Sequence, residues 1–333
     1  MRIAVDIMGG DYAPEQIGAG TLAAAQENPR HAFILVGTEQ ALADLPQLPP
    51  NAEKFSAGSV MAMDEPVANL TGKKDSSIWL ATQLVKKGQA QAVVSAGSTA
   101  AQMASALLLL GRIKGISRPA IVGIMPSLAG PRVLLDIGAN ADCKPEMLLQ
   151  FALMGQVYAQ EILGLKAPRV ALLSNGSEDH KGNELVKAAH QLLCQNLPDF
   201  AGNKEGRDLA EAKDFEVMVC DGFTGNIVLK TMEGTAQTIL GMLKEQLGAN
   251  FRHKAGAALI MPGLKKIKRQ MDYAEYGGAP LLGVKGISII CHGSSKAYAI
   301  QNAVNLAISC LEQDFAGKIE RTVEKTLTSP VAN

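Results

Sequence analysis

The chain has 333 residues, 47% of them hydrophobic and 19% charged, with 32 basic residues against 32 acidic ones. That composition excludes a disordered chain and gives no overall electrostatic footprint for nucleic acid. Five scattered cysteines without a CxxC pair argue for reduced thiols in a cytoplasmic protein rather than a disulfide scaffold or zinc site.

In chain order, Ile3 to Ile7 reads as a buried strand that ends in Met8-Gly9-Gly10-Asp11, and Ala13-Pro14-Glu15 opens a helix to about Gln26. Gly18-Ala19-Gly20-Thr21-Leu22-Ala23 spells GxGxxA, but the glycines fall inside the helical pattern, so a dinucleotide fingerprint is rejected. Ala32 to Val36 is a strand, and a helix follows Lys73-Lys74-Asp75-Ser76-Ser77. Ala92 to Val94 is a strand ending in Ser95-Ala96-Gly97-Ser98-Thr99, and the next helix carries Leu107 to Leu110, expected to be buried. Ala120 to Met125 and Val133 to Ile137 suggest an antiparallel pair.

The stretch Asp136-Ile137-Gly138-Ala139-Asn140-Ala141-Asp142-Cys143-Lys144-Pro145 turns from a strand into a helix. Pro145 suits a first helical turn. Asp136, Asn140, Asp142 and Lys144 are thereby expected near one ligand-binding strand end. Arg169 to Leu173 is a strand leading to a polar loop with Lys181 and Asn183, and Glu216 to Val219 leads to Asp221-Gly222-Phe223-Thr224-Gly225-Asn226. A long helix begins there, with Met232, Ile239, Leu243 and Leu247 expected inward. Ile287 to Ile290 precedes Cys291-His292-Gly293-Ser294-Ser295 and a helix to about Leu311. A polar surface helix is expected after Phe315.

Strand, glycine-rich polar loop and helix recur at least six times, the pattern of a three-layer α/β/α sandwich with a mostly parallel, mixed sheet. Residues 1–333 read as one two-lobed unit. Within it, 249–272 reads as a protruding helical hairpin whose apolar tip, Leu259-Ile260-Met261, is split by glycine and proline and followed by Lys265 and Lys266. Such a tip suits an anionic membrane surface or an acidic partner. The start is charged too early for a secretory segment, and no apolar run approaches the ~18 residues of a membrane span.

Glycine amides at helix starts favour anions. No GxxxxGK[ST], GxSxG, HExxH or Cys/His cluster is present, so the usual ATP cradle, serine elbow and zinc sites are not indicated. Cys143 reads as a small residue at a helix start before it reads as a nucleophile. His292 is either a general acid or base, or a histidine held by its neighbours. Lys181 is either a phosphate ligand or half of an ion pair. Asp6 and Asp221 either organise glycine amides or contact substrate.

Asp136 to Pro145 resembles the signature of the bacterial phosphate acyltransferases, which act on acyl carrier protein (ACP) thioesters. So do Met8-Gly9-Gly10-Asp11, Lys73 to Ser77, Lys181-Gly182-Asn183-Glu184, Cys220 to Asn226, Gly277-Gly278-Ala279 and His292 to Ser295. Tyr12, Ser98, Ala100 and Ser174-Asn175-Gly176 depart from that family's usual residues. The resemblance implies a fold like isocitrate dehydrogenase and phosphotransacetylase. It also implies conversion of long-chain acyl-ACP and inorganic phosphate to acyl phosphate, without a cofactor or metal. A homodimer is implied, with peripheral contact to the inner face of the cell membrane or to a membrane-bound glycerol-3-phosphate acyltransferase. Lys181, His292 and Lys144 are the expected catalytic residues. Asp6, Gly97, Ser98, Asp136, Asn140, Asp142, Asn183, Asp221, Asn226, Ser294 and Ser295 are the expected substrate or phosphate contacts. The rival readings are a phosphotransacetylase-like enzyme using acyl-CoA and a non-enzymatic membrane-surface protein.

Overall fold

Short apolar runs and intervening amphipathic helices build one sheet with helices on both faces. The computed structural model describes residues 1–270 and 273–328. Its strands are β1 (Arg2–Asp6), β2 (Ala32–Thr38), β3 (Ala52–Ala57), β4 (Ala92–Ser95), β5 (Ala120–Met125), β6 (Arg132–Leu135), β7 (Val170–Leu173), β8 (Phe200–Lys204), β9 (Val217–Val219), β10 (Ala279–Leu282) and β11 (Ile287–Ile290). The helices are α1 (Glu15–Glu27), α2 (Glu39–Ala43), α3 (Ser77–Lys86), α4 (Thr99–Leu109), α5 (Pro145–Glu161), α6 (Glu184–Asn196), α7 (Asp208–Glu211), α8 (Gly222–Gly248), α9 (Phe251–Gln270), α10 (Ala297–Glu312) and α11 (Phe315–Thr328).

The sheet order is β3-β2-β1-β4-β11-β10-β5-β6-β9-β7-β8. Strands β3 to β11 in that order are parallel, and β10 runs antiparallel to both β11 and β5. The β5–β6 pair is also antiparallel, as expected, and β9, β7 and β8 then follow β6 in parallel. The two halves of the sheet therefore point in opposite directions, and they meet at β10, β5 and β6.

Alternation along the strands sorts the core into layers. Ile3, Val5, Val133, Leu135, Val170 and Leu172 pack with α1, α5, α6, α10 and α11 on one face. Ala4, Ile34 and Val93 pack with α3 and α4 on the other. Leu134, Ala171 and Met218 pack with α7 and α8 on that same second face. The second layer thus comes in two parts, and they part over the centre of the sheet. The expected α/β/α sandwich is what forms. Gly18 and Gly20 lie within α1, where Gly20 lets Ile300 of α10 approach, so the GxGxxA match is a helix-packing feature.

Three expectations need correction. Leu108 is 56% exposed, because α4 buries Ala101, Ser105 and Ala106 instead of its leucine run. Ile239 and Leu243 are exposed, not inward, because α8 runs beyond the sheet and its outer half packs beside α9 instead of the sheet. Met232, nearer the sheet, does pack inward. The apolar segment after Phe251 is one continuous helix through Gly256 and Pro262, not a split one. The hairpin is therefore α8 with α9, and the predicted limit at residue 272 lies outside the described residues. Its turn falls at residues 249–250, so Leu259-Ile260-Met261 is not the tip but the middle of α9, where Leu259 is 85% exposed and Ile260 and Met261 are also exposed. The helix after Phe315 forms as expected but is amphipathic, burying Phe315, Ile319 and Val323, and residues 329–333 lie outside the described residues.

Candidate active site

The loop after β6 is held by one buried carboxylate. Oδ1 of Asp136 accepts hydrogen bonds from the amides of Ile121 (3.0 Å), Gly138 (3.2 Å) and Ala139 (3.0 Å). Oδ2 accepts from the Asn140 amide (2.7 Å) and from Asn140 Nδ2 (2.9 Å). Burial raises the Asp136 pKa above its ordinary value, and these N–H donors pull it back toward the ionised form. Asn140 Nδ2 also donates to the Pro119 carbonyl at 2.8 Å. Asp136 and Asn140 are therefore the loop's frame, and Ile137, Gly138 and Ala141 are what it presents to the cleft. Asp142 and Lys144 are exposed and are not among the cleft's lining residues, and Lys144 stands at the start of α5. Burial, and next the nearby Asp136, push the Cys143 thiol up to about 12, so it is a thiol and not a thiolate at neutral pH.

The opposite wall comes from the loops after β1, β4 and β11. Ser95 Oγ donates to Asp6 Oδ2 at 2.8 Å and accepts from the Gly97 amide at 3.0 Å. Asp6 is buried, and burial raises its pKa. It organises the loops from beneath, while Gly97 lines the cleft. Ser98 caps α4 through the Ala101 amide. The Asp11 amide donates to the Gly293 carbonyl at 2.8 Å, which ties the first loop to the last.

His292 stands in that last loop. Its Nδ1 receives the Ser294 amide at 3.2 Å and lies 2.7 Å from Ser294 Oγ. A ring nitrogen that accepts from an amide carries no proton, so the hydrogen bonds assign the proton of neutral His292 to Nε2. Ser294 lines the cleft with His292, whereas Ser295 is buried behind them.

The third wall is the first part of α8. Asp221 caps it, accepting from the Thr224 amide and Thr224 Oγ1, each at 2.8 Å. Gly222 donates to the Asn140 carbonyl at 2.7 Å. A Cβ on Gly225 would stand 1.9 Å from the Asp136 carbonyl oxygen, so only glycine lets α8 lie this close to the loop. Phe223, Asn226, Leu229 and the Lys230–Glu233 ion pair (2.8 Å) face the cleft.

The cleft so enclosed has a volume of about 720 Å³. Its lining combines N–H and O–H donors at Gly97, Asn226, His292 and Ser294 with apolar surface at Ile121, Met125, Ile137 and Ile290. Of the residues expected from sequence, the structure brings Gly97, Asn226, His292 and Ser294 into this lining. Asp6, Ser98, Asp136, Asn140 and Asp221 stand behind it as anchors and caps. Asn183 caps α6 through the Val186 amide at 2.9 Å, and Lys181 is half-buried on the same loop, outside the cleft lining. That loop is pinned by Asn203, which donates to the Glu178 carbonyl at 2.9 Å and contacts buried His190 at 3.0 Å.

Sequence reasoning missed Lys230 and Glu233, whose spacing matches any surface pair on a helix. It also missed Asp11, although its motif was singled out. Cys291 lines the cleft too, and burial pushes its thiol up to about 12.

The family model described as fatty acid synthesis protein matches residues 1–318. A phosphate acyltransferase of Desulfitobacterium hafniense (strain DSM 10664 / DCB-2) is 51% identical over 329 residues, covering 98% of both chains. One from Moorella thermoacetica (strain ATCC 39073 / JCM 9320) is 50% identical over 317 residues, covering 94% of this chain and 93% of its own. Among solved structures, a phosphotransacetylase from Streptococcus pyogenes superimposes with a TM-score of 0.60 at 17% identity, covering 93% of this chain and 94% of that one. The EutD phosphotransacetylase from Staphylococcus aureus gives 0.58 at 16% identity, with the same coverage. These two likenesses concern the fold. With half of its residues identical over nearly its full length, the chain belongs to the fatty acid synthesis protein family, together with these phosphate acyltransferases.

Proposed function

We propose that this cleft transfers a long-chain acyl group from acyl-ACP to inorganic phosphate. The observation that carries the proposal is one cleft lined both by N–H and O–H donors and by apolar side chains. A volume of about 720 Å³ far exceeds what phosphate alone requires and falls in the range of small-molecule sites.

An oxygen of hydrogen phosphate attacks the thioester carbonyl carbon, the C–S bond breaks, and the acyl phosphate leaves with the new C–O bond. The proton carried by hydrogen phosphate ends on the departing ACP thiolate, so the step balances without a redox partner or ATP. His292 Nε2–H suits the developing oxyanion or the thiolate. Ser294 and Asn226 suit the phosphate oxygens. Lys181 is proposed as a cationic phosphate ligand: β7 pairs with β9, so its loop leaves the sheet beside the Asp221–Asn226 turn. Lys144 enters the proposal only as a second, more remote cation.

The α8–α9 hairpin supports a peripheral role. Leu259, Ile260 and Met261 stand exposed on the helix that also bears exposed Lys265 and Lys266, which suits the inner face of an anionic membrane. Among the described residues no helix is long and apolar enough to cross a membrane. A homodimer, and hand-over of acyl phosphate to a membrane-bound glycerol-3-phosphate acyltransferase, complete the reading.

The test incubates the protein with long-chain acyl-ACP, or with acyl-CoA, with and without phosphate, and traps acyl phosphate with hydroxylamine. Phosphate-dependent hydroxamate from acyl-ACP is expected. No phosphate-dependent product from either donor would overturn the proposal. A strong preference for short acyl-CoA would instead place the activity with the phosphotransacetylases.

A further inference from the structure

Across the centre of the sheet the second helical layer divides between α4 and α8, and the cleft opens between them over β5 and the start of β10. On the open face of β5 the residues in line are Ile121, Gly123 and Met125, because side chains alternate. Ile121 belongs to the apolar cluster with Ala106, Leu281 and Ile290, and Met125 to the cluster with Leu134 and Met218. Ile137 packs against both. Between them Gly123 leaves a notch. A Cβ there would lie 3.0 and 3.1 Å from Cδ1 and Cγ2 of Ile137, and 3.3 Å from Cε of Met125.

The path from His292 to this notch runs across the strands. His292 follows β11, and β10 alone separates β11 from β5, a distance of about 10 Å at ordinary strand spacing. The floor on that path is Gly278 and Ala279, which offer almost no side chain and also line the cleft. A hydrocarbon chain whose thioester is held at His292 can lie across them and reach the notch.

We propose that Gly123, roofed by Ile137 and Met125, forms the end wall of the acyl-chain channel and sets the longest acyl group the enzyme accepts. The inference rests on the acyl-transfer reading above. Adding a methyl at Gly123 pushes Ile137 a few tenths of an ångström into the channel. Trimming Ile137 opens the same space.

The test measures kcat/KM for hydroxylamine-trapped acyl phosphate with a series of acyl-ACP donors from short to long. For Gly123→Ala, the long-to-short ratio is expected to fall about tenfold, the discrimination that one or two misplaced methylenes give in an apolar pocket. For Ile137→Ala, the ratio is expected to rise. A packing role alone would lower kcat/KM equally for every chain length, and that result in both variants overturns the inference. Should Gly123→Ala fail to fold by circular dichroism, Ile137→Val decides: a profile moved toward longer chains supports the end wall, and an unmoved one overturns it. If the unaltered protein makes no acyl phosphate from any donor, the acyl-transfer reading itself fails. If it is active and only the chain-length order stays fixed, this inference alone fails.

Discussion

Asn140 meets Asp136 twice, its amide at 2.7 Å and its side-chain Nδ2 at 2.9 Å from the same carboxylate oxygen. Three further amides reach the other oxygen. A carboxylate can accept all five, while a carboxamide would turn its own NH2 against donors. Asp136→Asn is therefore expected to destabilise by about 3 kcal/mol. Urea unfolding measures this, and a loss near zero would remove Asp136 as the frame of the loop.

Asp6 makes the contrasting case. It accepts the Met8 amide and meets the hydroxyls of Ser95 and Ser77, partners that an asparagine side chain can satisfy because hydroxyls rotate. Burial raises its pKa above the ordinary 3.8, so the folded chain keeps a proton that the unfolded chain has released. Its contribution to stability is then full below that ordinary value and declines as pH rises through the raised one. Asp6→Asn is expected to fold and to flatten the decline. Urea midpoints across that acid range test the sign, and an unchanged pH profile would count against it.

Gly225 and Gly234 sit on the same helix in opposite circumstances. Alanine at Gly225 would drive Cβ into the Asp136 carbonyl, whereas nothing lies within 4 Å of the Cβ position at Gly234. Gly225→Ala is expected to lower both stability and turnover. Gly234→Ala is expected to stabilise by about 0.5–1 kcal/mol through helix propensity. Thermal melts of the two variants give the comparison.

His292→Ala is expected to reduce kcat by about a hundredfold or more, in the range of a lost proton donor. Ser294→Ala should cost less, since the backbone amide that assigns the Nδ1 side remains. Lys181→Ala should cut turnover sharply with folding intact. Near-normal activity of either His292→Ala or Lys181→Ala would remove that residue from the chemistry.

The half-buried Cys143 and buried Cys291 thiols should be silent. At a pKa of about 12, Cys143 and Cys291 have a thiolate fraction on the order of 10⁻⁵ at pH 7. Cys194 is the exposed cysteine and should react first with a thiol reagent. Cys194→Ser should abolish that first phase, and Cys143→Ser should leave turnover near normal.

Much of this arrangement was legible in the sequence, because Pro145, the apolar runs and the glycine-polar loops each have a local physical cause. Four of the expected site residues, the contacts Gly97, Asn226 and Ser294 and the catalytic candidate His292, meet in one cleft. What was not legible depends on partners distant in the chain. The four-residue β10, with Pro280 inside it, gives no strand signal, yet it marks where the sheet reverses. Periodicity marks the apolar face of α8 but cannot tell that Ile239 and Leu243 stay exposed. Asp136 and Asn140 look like ligands in sequence, and only their five hydrogen bonds reveal a frame.

The two ends of α8 have different neighbours. Its first turns are a wall of the cleft, locked to Asp136 by Gly222 and Gly225, and its far end joins the exposed hairpin. At 27 residues it is a rod about 40 Å long. Such a rod turns tilt at one end into displacement at the other. The cleft wall and the exposed hairpin are therefore one continuous helix, and a force applied at the hairpin would be carried to the loop that Asp136 frames.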